Sequence, residues 1–216
     1  MELKERVKTA LELFDIHYPD KDKCYLLYDK DWQLLIATIL SAQCTDERVN
    51  KVTPVLFKKY NSIDDFADCE LSELENDIRS TGFFRNKAKN IKIALGQLRD
   101  EYNYKMPSDI DELTKLAGVG RKTANVVRSH IFSLPSIVVD THVKRISKRL
   151  GFTKNTDPEK VEFDLMKIFP KEHWIRYNTQ AIALGREICK SQKPRCENCF
   201  LCECCEYYSN NNLQVD

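Results

Sequence analysis

Hydrophobic positions recur along the chain with the three- and four-residue spacing of amphipathic helices. This spacing predicts a helix at the N-terminus and another over residues 86–102, with an apolar stripe of Ala88, Ile91, Ala94, Leu95 and Leu98. The more continuously apolar segment 31–43, DWQLLIATILSAQ, predicts a helix buried on most sides. One extended-looking segment, SIVVD at 136–140, is too short and solitary to form a sheet. The pattern predicts an all-α protein.

Capping residues indicate where further helices begin and end. The sequence from Ser72 to Glu75 fits a capping box. Ser108 is the predicted N-cap of a helix that Gly118 ends. Asp157, followed by proline at the first helical position, predicts the start of another helix, which stops before Pro170.

The composition of the 216 residues is that of a folded protein in water, with 42% hydrophobic and 31% charged residues. No apolar run approaches the roughly 20 residues that a membrane helix needs. The N-terminal segment also lacks the apolar core of a signal peptide. We therefore expect a cytoplasmic protein without a membrane segment.

Positive charge is concentrated in residues 115–150, which contain eight Lys or Arg and one acid, Asp140. The local net charge is therefore +7, whereas the whole chain carries +1. This asymmetry favours a polyanionic partner such as nucleic acid. A basic surface that only contacts solvent is the alternative.

The segment LAGVGRKTANVV, residues 116–127, places two glycines between two predicted helices, the second over residues 121–132. Gly118 and Gly120 permit positive φ and close backbone approach. The free N–H groups at the start of the second helix form an anion site, and Arg121 and Lys122 add charge. The segment therefore predicts a helix-hairpin-helix that binds nucleic-acid backbone. An ordinary turn between helices is the alternative.

Lys122 also suits nucleophilic chemistry. Its place in the first helical turn, beside Arg121, disfavours the charged ammonium and favours the amine, which attacks carbon centres that become imines. Such a reaction needs a carboxylate nearby, and Asp140 is the only acid of the basic stretch. From the residues alone, a phosphate-binding lysine and a capping aspartate are the favoured interpretation.

Six of the nine cysteines lie within 17 residues near the C-terminus. Without a secretory signal, this crowding favours metal ligation over disulfides. Four thiolates hold either a [4Fe–4S] cluster or a structural zinc ion, and the spacing alone leaves both open. The six are Cys189, Cys196, Cys199, Cys202, Cys204 and Cys205.

Several segments together resemble the endonuclease III family, DNA glycosylases that also cleave at abasic sites. They are LLIATILSAQCTDERVNK (34–51), GFFRNKAKNI (82–91), LAGVGRKTANVV followed by VVDTHVKRISKRLG, and the cysteine spacing C-x6-C-x2-C-x5-C. The resemblance runs in order across nearly the whole chain. It implies base-excision repair of double-stranded DNA that contains damaged bases, chiefly oxidised pyrimidines, or abasic sites. Strand cleavage on the 3′ side by β-elimination is implied as well.

The resemblance also implies roles for individual residues. Lys122 falls on the nucleophile that displaces the base and forms a Schiff base, and Asp140 falls on the catalytic carboxylate. Gln43 matches the residue that fills the gap left by the flipped base. Phe83 matches an apolar wedge, with core packing as the alternative. Further DNA contacts are implied for Gly118, Gly120, Arg121, His142, Arg145, Lys193 and Arg195.

The family's cysteine spacing implies a [4Fe–4S] cluster on four ligands, Cys189, Cys196, Cys199 and Cys205. Cys202 and Cys204 then remain as extra thiols. In this family the cluster is a structural and DNA-contacting element, and bond breaking happens elsewhere.

The implied architecture has two helical lobes. A six-helix barrel lobe would span residues 22–133 and carry the helix-hairpin-helix at about 109–132. Residues 1–21 and 134–216 would form the second lobe around a cluster loop at 189–205. DNA would lie in the groove between the lobes, with the lysine and the aspartate on opposite walls.

Two other functions stay open at this point. One is a monofunctional mismatch or adenine glycosylase, and the other is a non-catalytic, DNA-binding iron–sulfur redox sensor. Lys122 argues against both, because neither needs a nucleophile. Ala117 departs from the proline usual in the family, which suggests a less rigid hairpin. We expect a monomer associated with the nucleoid.

Overall fold

The computed structural model describes residues 1–19 and 24–212, and within them every regular element is helical. The all-α prediction is confirmed. None of the described helices combines the length and apolarity of a membrane span. The helices are α1 (Leu3–His17), α2 (Asp31–Leu40), α3 (Asp46–Lys59), α4 (Ile63–Asp68), α5 (Leu71–Asp77), α6 (Phe84–Asp100), α7 (Ile110–Lys115), α8 (Arg121–Phe132), α9 (Thr141–Arg149), α10 (Pro158–Ile168), α11 (Trp174–Glu187) and α12 (Glu206–Asn212).

Backbone contacts divide the chain into two compact units. One is the continuous segment Cys24–Leu134, and the other combines Met1–Lys23 with Pro135–Asp216. The boundary predicted between residues 21 and 22 lies outside the described residues. Each unit has a hydrophobic core of its own.

The core of the continuous unit is built around α2. Every residue of this helix from Trp32 to Leu40 is buried, including the polar Gln33 and Thr38, which agrees with the predicted burial on most sides. The helix α6 packs against α4 and α5, and α8 packs against α2 and α7. However, α2 ends at Leu40 and not at the predicted Gln43, because the chain turns there and Gln43 takes a left-handed conformation with φ 53°.

Aspartates cap the N-termini of α7 and α10, and one of these two caps was predicted correctly. Asp157 is the N-cap of α10, and its carboxylate accepts the N–H of Lys160 at 3.0 Å, as predicted. The prediction for Ser108 is wrong by one residue. Asp109 caps α7 instead, because its carboxylate accepts two N–H groups of the first turn.

The predicted capping box at Ser72 is also wrong. Ser72 lies inside α5, which begins after Glu70 and has no side-chain cap. The capping box of this region lies ten residues earlier, where Ser62 and Asp65 each accept a backbone N–H at the start of α4.

The discontinuous unit is held together by contacts of α1 with the C-terminal part of the chain. The Phe14 ring packs edge-on against Tyr177 and Phe200, with ring centroids 5.5 and 5.8 Å apart. Arg6 forms an ion pair of 2.6 Å with Glu206. The first helix therefore belongs to the core that residues after 134 build.

Candidate active site

The hairpin between α7 and α8 uses its two glycines differently. Gly118 has φ +76°, and a Cβ there would lie 2.8 Å from the Cβ of Asn90, so the site requires glycine. Gly120 has φ −92° and ψ 176°, which is extended backbone. The prediction of positive φ is therefore wrong for Gly120. A Cβ on Gly120 would meet nothing within 4 Å, so only a ligand would exclude it.

The start of α8 offers backbone donors. Gly120 is its N-cap and provides no side-chain hydrogen bond, and the first turn contains no acidic residue. The first N–H groups of a helix have no partner within the helix. The exposed side chain of Lys122 lies in this turn. The geometry suits a phosphate at the backbone and an amine beside it.

Gln97 on α6 holds the hairpin in place. Its amide oxygen accepts the N–H of Ala117 at 2.9 Å, and its amide nitrogen donates to the carbonyl of Lys115 at 3.3 Å. The alanine that replaces the usual proline therefore supplies a hydrogen bond that proline lacks the N–H to make. The two bonds to Gln97 anchor the hairpin that the sequence suggested to be less rigid.

Asp140 is the N-cap of α9. Its Oδ1 accepts the N–H groups of His142 and Val143 at 2.9 and 2.8 Å. Its Oδ2 has no hydrogen-bond partner among residues 1–19 and 24–212. The extended segment before it is held by Asn178, whose amide donates to the carbonyl of Val138 at 2.9 Å. The capping interpretation is therefore correct, and it uses only one carboxylate oxygen.

Arg145 connects α9 to the start of the cysteine loop. Its guanidinium donates to the carbonyl of Cys189 at 2.9 Å and lies 3.3 Å from Nδ1 of His142. A Cβ on Gly185 would lie 2.2 Å from the same ring nitrogen, so glycine permits this close packing. The structure thus gives Arg145 an internal role, and its DNA contact stays a prediction.

Gln43 and Phe83 occupy exposed, strained turns. Among the described residues, six non-glycine residues have positive φ, and Gln43, Phe83 and Lys193 are three of them. Phe83 is 64% exposed, so the alternative of core packing is wrong. Residues held in sparsely populated backbone regions cluster at ligand sites. Both side chains are free of the core, as insertion into DNA requires.

Five cysteines line one small cavity of about 20 Å³. They are Cys189, Cys196, Cys199, Cys202 and Cys205. Cys204 instead lies in the core and is 3% exposed. Cys202 is therefore close to the four predicted ligands, whereas Cys204 is a packing residue.

Burial and a neighbouring arginine determine the electrostatics of this cavity. Burial raises the pKa of the Cys199 thiol to about 12, because a thiolate loses its hydration there. Arg149 donates to the sulfur of Cys189 at 3.2 Å and to the carbonyl of Lys190 at 2.7 Å. Within the described ranges, no three His, Cys, Asp or Glu side chains converge on a single ion position. Five of the cysteines line one cavity instead, and four thiolates are the ligand set that a [4Fe–4S] cluster requires.

The loop between the first two cysteines presents its cations to solvent. Lys193 and Arg195 are both exposed, and the backbone N–H of Arg195 donates to the carbonyl of Ile188 at 3.1 Å. The positive φ of Lys193, 48°, turns the chain at this point. Exposed cations on an anchored loop are suited to phosphate contacts.

Comparison with known proteins assigns the family. Residues 36–171 match the model of the HhH-GPD superfamily of base excision DNA repair proteins. Endonuclease III of Synechocystis sp. is 49% identical over 203 residues, which cover 94% of this chain and 92% of that protein. The chain belongs to the endonuclease III family. Endonuclease III of Bacillus subtilis is 48% identical over 202 residues, which cover 93% of this chain and 92% of that protein.

Solved structures agree with this assignment to the endonuclease III family. A trapped covalent intermediate of an endonuclease III with DNA matches with a TM-score of 0.91 at 47% identity, over 98% of this chain and 100% of that one. A thermostable thymine-DNA glycosylase shares the fold, with a TM-score of 0.85 at 21% identity over 95% and 98% of the two chains. The chain is thus a base-excision repair enzyme, a DNA glycosylase with abasic-site lyase activity.

Sequence reasoning missed two residues that shape the site, Gln97 and Lys87. Both lie on α6 and act through backbone carbonyls or amides of other segments. Lys87 lies four residues before Ile91, at a position that continues the apolar stripe of α6. A lysine on such a stripe was the available signal.

Proposed function

We propose that this enzyme excises oxidised pyrimidines from double-stranded DNA, with Lys122 as nucleophile, and cleaves the strand 3′ to the abasic site. The observation that supports this role is the exposed amine in the first turn of α8, directly after a hairpin whose backbone donors have no side-chain cap. The covalent DNA intermediate trapped with a relative at 47% identity also supports it.

The proposed reaction proceeds through a Schiff base. The neutral amine of Lys122 attacks C1′ of the sugar, the bond to the base breaks, and the base leaves with a proton. Ring opening gives an iminium at C1′. Loss of a proton from C2′ then expels the 3′ phosphate, and water hydrolyses the iminium to free the lysine. Asp140 stabilises the cationic character of the sugar and assists proton transfer through its Oδ2.

DNA binding is proposed to come from groups other than Lys122 and Asp140. Backbone N–H groups around Gly120 bind one phosphate, and Lys193 and Arg195 bind others. Gln43 fills the space that the flipped base leaves, and Phe83 wedges into the adjacent base step. The exposure of all four side chains supports this assignment.

We also propose that Cys189, Cys196, Cys199 and Cys205 hold a [4Fe–4S] cluster. When bound, the cluster supplies a covalent cross-link of the loop and positive charge that stabilises the thiolates. The chain's own residues position the loop, since Arg149 donates to a cysteine sulfur and to the carbonyls of Lys190 and Ser191. A monomer that acts on nucleoid DNA in the cytoplasm is the expected form.

Borohydride trapping on abasic DNA tests the function. Lys122→Gln should lose the covalent adduct and strand nicking but keep binding to damaged duplex. Lys115→Gln, which removes an exposed cation from the same hairpin, serves as the matched control and should still form the adduct. Base release without an adduct in the unmodified protein would indicate a monofunctional glycosylase, and binding alone would indicate a sensor. A normal adduct in Lys122→Gln would assign the nucleophile to another amine.

A further inference from the structure

Lys87 is a buried cation that the proposed reaction does not use. Its side chain is 4% exposed, although lysine is rarely buried to this extent. Its ammonium donates to the carbonyls of Leu40 and Thr81, each at 2.8 Å. Burial lowers the pKa of Lys87, because the charged form loses its hydration. A cation retained at such a cost indicates a specific task.

The two carbonyls end two separate elements. Leu40 is the last residue of α2, and Thr81 is the last residue of the 3₁₀ turn Arg79–Thr81. The last carbonyls of a helix accept no hydrogen bond within that helix, so they need a donor from elsewhere when they are buried. Lys87 supplies that donor to both ends at once and joins segments that lie 41 residues apart in the sequence.

Both elements lead directly into the strained, exposed turns. Gln43 follows Leu40 by three residues, and Phe83 follows Thr81 by two. The backbone N–H of Lys87 also donates to the carbonyl of Phe83 at 3.1 Å. One residue therefore fixes the chain on both sides of Gly82 and the end of α2. The ammonium group of Lys87 is therefore a direct hydrogen-bonded link between the segments that carry the two turns.

We propose that Lys87 is a positioning residue that holds Gln43 and Phe83 at a fixed separation, so that both enter the duplex together when the base is extruded. This inference rests on the proposed function, because it assumes that these two side chains occupy DNA. Removing the ammonium leaves two buried carbonyls unpaired and lets the turns move independently. The two side chains then no longer enter the duplex together when the base is extruded, while phosphate binding at the hairpin is unaffected.

Lys87→Met tests this role, because methionine keeps the length and apolar stem of lysine but donates no hydrogen bond. The matched control is Lys92→Met on the same helix, where the half-buried ammonium donates to the carbonyl of Cys69, remote in sequence from both turns. If Lys87→Met does not fold, Lys87→Gln, which keeps a shorter donor, replaces it. Thermal melting and iron content establish that each variant is folded and loaded.

Two readouts separate positioning from general stability. The first is the fluorescence of 2-aminopurine placed beside a tetrahydrofuran abasic analogue, which rises as the duplex opens. The second is the single-turnover rate of base excision. We expect Lys87→Met to lose most of the fluorescence rise and to slow excision about 10- to 100-fold, the scale of a misplacement of about 1 Å. Lys92→Met should match the unmodified enzyme in both.

A mutant cycle decides the mechanism. In the background Gln43→Ala with Phe83→Ala, Lys87→Met should cause no further loss, because the residues it positions are absent. An undiminished loss in that background, or equal defects in Lys92→Met, would overturn the inference and leave the proposed function intact. If Gln43→Ala and Phe83→Ala are themselves silent, their proposed DNA roles fail together with the inference. Borohydride trapping still tests Lys122 separately.

Discussion

Asp140→Asn separates the two roles that the structure combines at this position. Asparagine caps helices about as well as aspartate, and its amide oxygen can still accept the N–H groups of His142 and Val143. We therefore expect the free energy of unfolding to change by less than about 0.5 kcal/mol. Base excision should fall about 100-fold or more, the scale of a lost acid–base group. Duplex affinity should stay the same or rise slightly, because one negative charge is removed.

Alanine at the same position should remove both roles. Loss of an N-cap costs about 1 kcal/mol, and for a protein of this size that lowers Tm by about 2–4 °C. Asp157 provides the matched control, because its carboxylate caps α10 by accepting the N–H of Lys160 at 3.0 Å. Asp157→Ala should lose similar stability and keep its excision rate.

The assay combines thermal melting, duplex binding by anisotropy and single-turnover excision with saturating enzyme on one oxidised pyrimidine. The expected pattern is a catalytic loss in both Asp140 variants and a stability loss in both alanine variants. If Asp140→Asn excises bases near the normal rate, the carboxylate serves only as a cap. If it loses stability as Asp140→Ala does, the capping argument is wrong.

The remaining predictions concern the hairpin and the cysteine loop. Gly118→Ala should lower the free energy of unfolding by at least about 1–2 kcal/mol, because its φ of +76° is left-handed, and melting curves measure this. Gly120→Ser keeps a good N-cap, so it should melt normally yet bind any duplex more weakly in anisotropy titrations. Cys189→Ser should lose its iron, whereas Cys202→Ser should retain about four iron per chain by metal analysis. Arg195→Ala should reduce the slope of log K against log salt by about one unit, and an unchanged slope would remove it from the DNA contacts.

The spacing of hydrophobic residues along the chain predicted which helices form and which of their faces are buried. The five stripe residues of α6 are all buried, and α8 has the predicted bounds Arg121–Phe132. The four predicted cysteine ligands line one cavity. Their spacing allowed this to be predicted, because the loop that carries them is short. Such features follow from neighbours in the sequence.

Features set by distant contacts could not be predicted. The end of α2 at Leu40 coincides with a carbonyl that Lys87 caps from 47 residues away. The hold of Gln97 on Ala117 spans 20 residues, and no local pattern indicates it. Ser72 is not a cap because α5 begins one residue earlier, at Leu71, so Ser72 lies inside the helix.

The two-part construction of the discontinuous unit has a consequence for synthesis on the ribosome. Arg6 pairs with Glu206, 200 residues later, and Phe14 packs on Phe200. At about 5–20 residues per second, α1 emerges some 10–40 s before its partners exist. Residues 24–134 can fold during that interval, since their core is complete within one continuous segment. The apolar face of α1 stays exposed during that interval, until the residues after 134 that complete its core have been synthesised.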